Sequence, residues 1–145
     1  MNETVAIVGD IYRMLATGKE TNGAYALIDA RVFPGGGPPP HVHSREEEGF
    51  YVLEGEVAFY KGEERIVAKA GDSVHLLRGE PHRFKNETAE MAKMLIWVAP
   101  AGAEQMFLEI GEAVEDLNTP PKITEKQIAH LMEVALKKYG IEILT

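Results

Sequence analysis

An all-β sandwich or barrel with one amphipathic helix at its C-terminal end is the architecture this chain predicts. Short β-rich runs recur between residues 24 and 100 with Gly punctuation, at the roughly 8–12-residue spacing of such folds. No helix-length amphipathic pattern separates them, which argues against alternating strand–helix units. Residues 124–139, TEKQIAHLMEVALKKY, then switch to helical spacing.

Taken in order, VAIV (5–8) and AYALIDARVF (24–33) read as strands, with Thr17-Gly18 and Asn22-Gly23 as turns. PGGGPPP (34–40) is excluded from helix and from a central strand, because proline has no N–H for the ladder. It delivers His41 in extended geometry. FYVLEGEVAFY (50–60), ERIVAKA (64–70), SVHLLR (73–78), HRFKN (82–86) and AKMLIWVAP (92–100) follow, separated by Lys61-Gly62, Gly71-Asp72 and Gly79. A shorter helix is expected over 102–110, and Pro120-Pro121 separates it from the longer one. In the longer one, Ile128, Leu131, Met132, Ala135, Leu136 and Tyr139 share an apolar stripe. Thr124 and Gln127 form a capping-box pattern, Gly140 suits the position after the last turn, and Lys137 and Lys138 complement the helix dipole. The chain is expected to divide into a barrel (1–110) and a helical extension packed on it (111–145). The helix either covers an open barrel mouth or lies on the outer sheet.

The 145 residues suit one core, and an apolar fraction of 45% is that of an ordinary globular protein. The net charge of −8, from 23 acidic and 15 basic residues, comes without a basic stripe, so nucleic acid is a poor partner. Without cysteine, disulfides and thiol chemistry are excluded. No run approaches the roughly 20 apolar residues of a membrane helix, and residues 1–20 show no signal-peptide pattern. A cytoplasmic location without membrane contact is the default expectation.

Specific chemistry is suggested in two blocks, PPPHVHSREEEGFYVLEG (38–55) and GDSVHLLRGEPHRFKN (71–86). His41 and His43 fall on one face of a strand. His82 arrives from the second block, and one of Glu46, Glu47 and Glu48 can complete a set of three imidazoles and a carboxylate. Strand parity leaves the carboxylate open, since Glu47 and Glu48 each share a face with apolar residues. Such a set suits one divalent transition metal among Ni, Mn, Fe, Co, Cu and Zn. Four protein ligands would leave one or two positions for a substrate. The three glycines at 35–37 have no Lys-Ser/Thr or helix after them and are a turn, not a phosphate cradle.

These blocks resemble the two motifs of the cupins. Gly35, His41, His43, Glu48 and Gly55 match G-x5-H-x-H-x(3,4)-E-x6-G, and the gap before Gly55 selects Glu48 over Glu47. Gly71, Gly79, His82 and Asn86 match the second motif, with Leu77 where the family prefers proline. The resemblance implies a double-sheet jelly roll, a double-stranded β-helix. GDIYRMLATGKETNGAYAL (9–27), PGGGPPPHVH, FYVLEGE and KKYGIEIL further resemble small bacterial cupins of the quercetin 2,3-dioxygenase-like kind. That likeness implies a dioxygenase using O2 on a flavonol-like or other enolic or phenolic small molecule. Its hydroxyl would bind at the metal with Glu48 as general base, and the ring would open with release of carbon monoxide. The alternatives are a non-catalytic metal- and small-molecule-binding cupin or an isomerase. An isomerase would want a second acid–base group, for which His75 is the candidate. Tyr51, Phe59, Met94, Trp97 and Phe107 are expected around a pocket. A deep apolar cavity would favour a flat aromatic substrate, and a filled or cation-lined one another ligand. His130 is expected in solvent, only Glu48 of the acidic run is expected to be functional, and a homodimer is expected through the first strand, around residues 4–9.

Overall fold

The computed structural model describes residues 3–144; residues 1, 2 and 145, the outermost positions of the two expected segments, lie outside them. The elements are β1 (Thr4–Ile7), β2 (Asp10–Ala16), α1 (Gly18–Thr21), β3 (Ala26–Val32), β4 (His41–His43), β5 (Glu47–Glu54), β6 (Glu56–Lys61) and β7 (Glu64–Lys69). β8 (Ser73–Leu76), β9 (His82–Lys85), β10 (Ala92–Ala99), α2 (Ala103–Ile110), β11 (Glu112–Ala113), α3 (Glu125–Tyr139) and β12 (Ile141–Ile143) complete the chain. Two antiparallel sheets face one another, ordered β11-β1-β2-β3-β10-β5-β8 and β12-β4-β9-β6-β7. This is the expected double-sheet jelly roll with a C-terminal helix.

Alternation sets the inward face. β3 buries Ala26, Ile28, Ala30 and Val32 in strict period two, and β10 does the same with Ala92, Met94, Ile96 and Val98. β1 and β2 form a hairpin whose register, Ile7 opposite Asp10, leaves Val8 and Gly9 as a two-residue turn. Both have positive φ, 45° and 90°, as the turn types matching strand twist require. Left-handed backbone is strained for a β-branched residue such as Val8. Its N–H is held by Gln127 Oε1 at 2.8 Å, from α3.

The expected helices form at 103–110 and 125–139, and a one-turn helix at 18–21 joins the two turns read at 17–23. Residues beyond 110 are more than a packed extension. β11 pairs with β1, and β12 pairs with β4 in the register Ile141 to His43 and Ile143 to His41. The outer edge of the first strand, expected to meet a neighbour, is thereby taken by β11 at Val5 and Ala6.

The helix covers the barrel mouth, where Leu131 stands with Ile141 and Ile143. Its buried stripe is Gln127, Leu131 and Ala135, whereas Ile128, Met132 and Leu136 face outward. The capping box is only half realised. Thr124 accepts from Gln127 N at 3.2 Å, but the Gln127 side chain is drawn inward, donating to Ala6 O (2.8 Å) and Ile110 O (3.1 Å). Two buried backbone carbonyls needing partners outcompete an exposed cap. Tyr139 Oη donates to Glu109 at 2.6 Å and ties α3 to α2. Among the described residues no helix is long and apolar enough to cross a membrane.

Candidate metal centre

The loop 34–40 is stitched to the segment after β9. Gly35 N donates to Asn86 O (2.8 Å), Asn86 N to Gly36 O (3.0 Å), and the fully buried Asn86 side chain to Val32 O (2.8 Å). Gly37 is required here: its φ is 129°, and a Cβ would lie 2.0 Å from Phe84 O. The loop thus hands β4 to β9 with His41 directly opposite His82. His41 and His43 point inward, and β5 turns Glu48 to the same interior beside Phe50 and Val52. Where the second motif lacks proline, Glu80 Oε1 accepts from Leu77 N at 2.7 Å and holds the turn instead.

His41, His43, Glu48 and His82 are all buried, and one ligand atom from each lies within 4.8 Å of the others. Bonds of about 2.0–2.2 Å place two ligand atoms at most about 4.4 Å apart, so only small adjustments separate this arrangement from a coordination shell. Each imidazole is pre-oriented. Nδ1 of His41 meets Pro39 O at 2.8 Å, that of His43 meets Glu46 Oε1 at 2.7 Å, and that of His82 meets Glu80 O at 3.0 Å. These partners accept, so each Nδ1 carries a proton and each Nε2 is turned inward, the edge by which a neutral imidazole ligates. The residues fit a divalent transition metal, and this convergent donor set is the reason.

The electrostatics match. Burial lowers His41 to about 4, and the neighbouring His82 adds to this, so His41 presents a neutral ring. Burial also opposes a charge on His43, but Glu48 and Glu46 outweigh it and raise this ring to about 10. Burial works against the Glu48 charge too, yet His43 and His82 hold its carboxyl well below the usual range. Glu48 Oε1 sits 2.8 Å from His43 Nε2 and 3.1 Å from His82 Nε2. A positive charge is therefore called for among these atoms, and in the metal-free chain the proton on His43 provides it.

The quartet opens on a cavity of about 70 Å³. Its walls are apolar, from Ile7, Phe84, Ile96, Met106, Phe107 and Leu131 among others, and no Lys or Arg lines it. Of the five pocket residues expected, only Phe107 is on this wall. Phe59 and Met94 are fully buried in the core, while Tyr51 and Trp97 stand on the outer face of the seven-stranded sheet, 45% and 36% exposed. Tyr51 and Trp97 occupy the outward parity of β5 and β10, which aromatic character does not reveal. His75 is likewise outward, opposite Gly49, and cannot reach the cavity. His130 is partly exposed, 3.5 Å from Glu109.

Three polar residues were missed. Glu46, which the acidic run does not single out, is 3% exposed and holds His43. Its place three residues after His43 was the available signal. Asp10 and Tyr12, on the inward parity of β2, line the cavity and are both buried. Asp10 Oδ1 accepts from Phe33 N at 3.1 Å, and burial raises its carboxyl to about 7.

A family model described as the cupin domain matches residues 29–98. Over those residues the chain carries a cupin domain. Among curated proteins it is similar to quercetin 2,3-dioxygenase of Bacillus subtilis (strain 168), 22% identical over 113 residues, covering 78% of this chain and spanning 33% of that protein. Among solved structures it resembles TT1209 from Thermus thermophilus, at 32% identity and a TM-score of 0.52, covering 54% of this chain and 74% of that one. It also resembles an oxalate oxidase in complex with glycolate, at 25% identity and a TM-score of 0.55, covering 66% of this chain and 53% of that one.

Proposed function

We propose that this cupin is a metal-dependent dioxygenase for a compact enolic or phenolic molecule. His41, His43, Glu48 and His82 hold one divalent transition metal, and O2 is the co-substrate. The observation that carries this reading is the buried quartet, with its three imidazoles held by Nδ1 partners, opening on an apolar cavity. Such an ion lowers the pKa of an oxygen bound to it and polarises the substrate toward oxidation. The chain supplies the rest. Glu48, the one carboxylate in the quartet, would take the hydroxyl proton onto a carboxylate oxygen as general base. The imidazoles keep their Nδ1 protons on fixed acceptors, and the apolar walls exclude water.

The likeness to quercetin 2,3-dioxygenase supports oxygen chemistry, but the cavity argues for a substrate smaller than a flavonol. Sites for drug-sized ligands occupy about 300–1,000 Å³, against about 70 Å³ here. A small dianion such as oxalate, suggested by the oxalate oxidase likeness, would find no Lys or Arg in the lining. One observation favours an isomerase as the second reading: Asp10 is the second acid–base group that His75, facing outward, cannot be.

Oxygen uptake separates the readings. Protein loaded in turn with Mn, Fe, Co, Ni and Cu should consume O2 with compact enols and phenols such as acetylacetone and catechol, and less with quercetin. Proton exchange or isomerisation of an α-hydroxyketone under argon, with no O2 uptake from any enol or phenol, would replace the oxygenase with the isomerase.

A further inference from the structure

Polar groups in the cavity are few. Beyond the quartet there are only Asp10 and Tyr12, and Asp10 Oδ1 is already engaged by Phe33 N. Tyr12 differs. It is 5% exposed, its ring packs edge-on against Phe107 at 4.8 Å, and among the described residues its hydroxyl makes no hydrogen bond. The described chain has no fully enclosed side-chain N or O atom without a partner, so this hydroxyl keeps accessible surface, and Tyr12 is one of the residues lining the cavity. A buried tyrosine ordinarily finds a partner, since stripping water from a hydroxyl without replacement is costly. Phenylalanine would fill the same space against Phe107 without that cost.

Tyr12 also stands on a wall apart from the quartet. It belongs to β2, separated from β5 and Glu48 by β3 and β10 in the seven-stranded sheet. We infer that the Tyr12 hydroxyl recognises a second oxygen of the substrate, so that the substrate of the proposed reaction carries one hydroxyl for the quartet and, further along, a neutral carbonyl or ether oxygen for Tyr12. The inference rests on the proposed reading of the quartet as a hydroxyl-binding metal centre. Burial, Asp10 and Glu48 all push the Tyr12 pKa well above its ordinary value, so the phenol keeps its proton and acts as donor. The ligand must therefore offer an acceptor. Neighbouring Asp10 and the lack of Lys or Arg in the lining disfavour a carboxylate or phosphate there.

The test compares phenol with the hydroxybenzaldehydes, which add a carbonyl, and the hydroxybenzoates, which add a carboxylate. Binding is read from the visible spectrum of the cobalt(II)-loaded protein, for the wild type and Tyr12→Phe, with thermal midpoints alongside. At least one hydroxybenzaldehyde isomer should bind the wild type roughly 2- to 10-fold more tightly than phenol, the worth of one hydrogen bond. Tyr12→Phe should erase that advantage, leave phenol affinity unchanged and keep the thermal midpoint. The matching hydroxybenzoate should gain nothing. An advantage that survives in Tyr12→Phe, or one that no isomer shows, overturns the role of Tyr12 alone. A marked fall in the midpoint of Tyr12→Phe overturns it too, by revealing a structural bond. Failure of phenol to bind either protein overturns the hydroxyl-binding reading of the quartet, and this inference with it.

Discussion

The two sides of the cavity have different origins. The quartet and its orienting partners fall between residues 39 and 82, on two motif-bearing blocks. The opposite side is assembled from distant parts: Asp10 and Tyr12 near one end of the chain, Met106 and Phe107 from α2, and Leu131, Ile141 and Ile143 near the other end. The first side specifies chemistry, because ligation needs particular atoms at particular spacings. The second specifies capacity, because which molecule fits depends on how packed elements close over the quartet. The two sides touch along β4, whose His41 and His43 pair with Ile143 and Ile141 of β12.

The sharpest way to break this contrast is to cut each side separately. His82→Ala should lower metal affinity by more than the 10–100-fold that an outer partner is worth, because a ligand is lost outright. Metal content after dialysis, measured by elemental analysis, checks this, and the closure by α3 should be untouched. Full metal occupancy in His82→Ala would remove this residue from the ligand set. Leu131→Ala does the converse. Leu131 is 6% exposed and lines the mouth, so truncation should cost about 2–5 kcal/mol in denaturant unfolding. Metal content should stay full, while phenols too large for the wild type gain affinity. Loss of metal in this variant would show that the two sides are not separable.

The same contrast explains what was legible in the sequence. The strands, the two longer helices and the quartet could be read because periodicity and ligand spacing are local properties. Glu48 was distinguished from Glu47 by its distance to Gly55, which has φ of 78° at the turn into β6 and backs closely onto Ala92. The pocket walls could not be read the same way. Tyr51 and Tyr12 are both tyrosines in strands, and only the sheet's closure decides that the first faces solvent and the second the cavity. The helical stripe was read too broadly for a similar reason. Ile128, Met132 and Leu136 fit the period as well as Leu131 and Ala135 do, but Gln127, with partners in β1 and α2, fixes which side turns inward. Glu46 is hard to read because acidic runs usually face water, and its place three residues after His43 is a weaker signal than the run of charge around it.

Glu46 offers the finest test, since it belongs to the metal side without being a ligand. Glu46→Gln keeps an oxygen that can accept from His43 Nδ1 and removes only the charge. Metal affinity should fall by about 10- to 100-fold, less than for His82→Ala, because a carboxylate partner makes the ligating imidazole more basic. The metal-free protein should carry a matching signature in its pH dependence. Its carboxylate neighbours raise His43 from an ordinary 6.5 to about 10 in the fold, so these ionic partners add stability that is fully present below about pH 6.5 and is lost as pH rises through 10. Glu46 supplies part of that elevation, with Glu48 the larger contributor. The stability gap between the metal-free wild type and Glu46→Gln should therefore be widest below pH 6.5 and narrow toward pH 10. A gap independent of pH would mean that Glu46 serves His43 by shape alone. Unchanged metal affinity would leave it a buried packing residue, and the orientation of His43 would then rest on β4 and its pairing with β12.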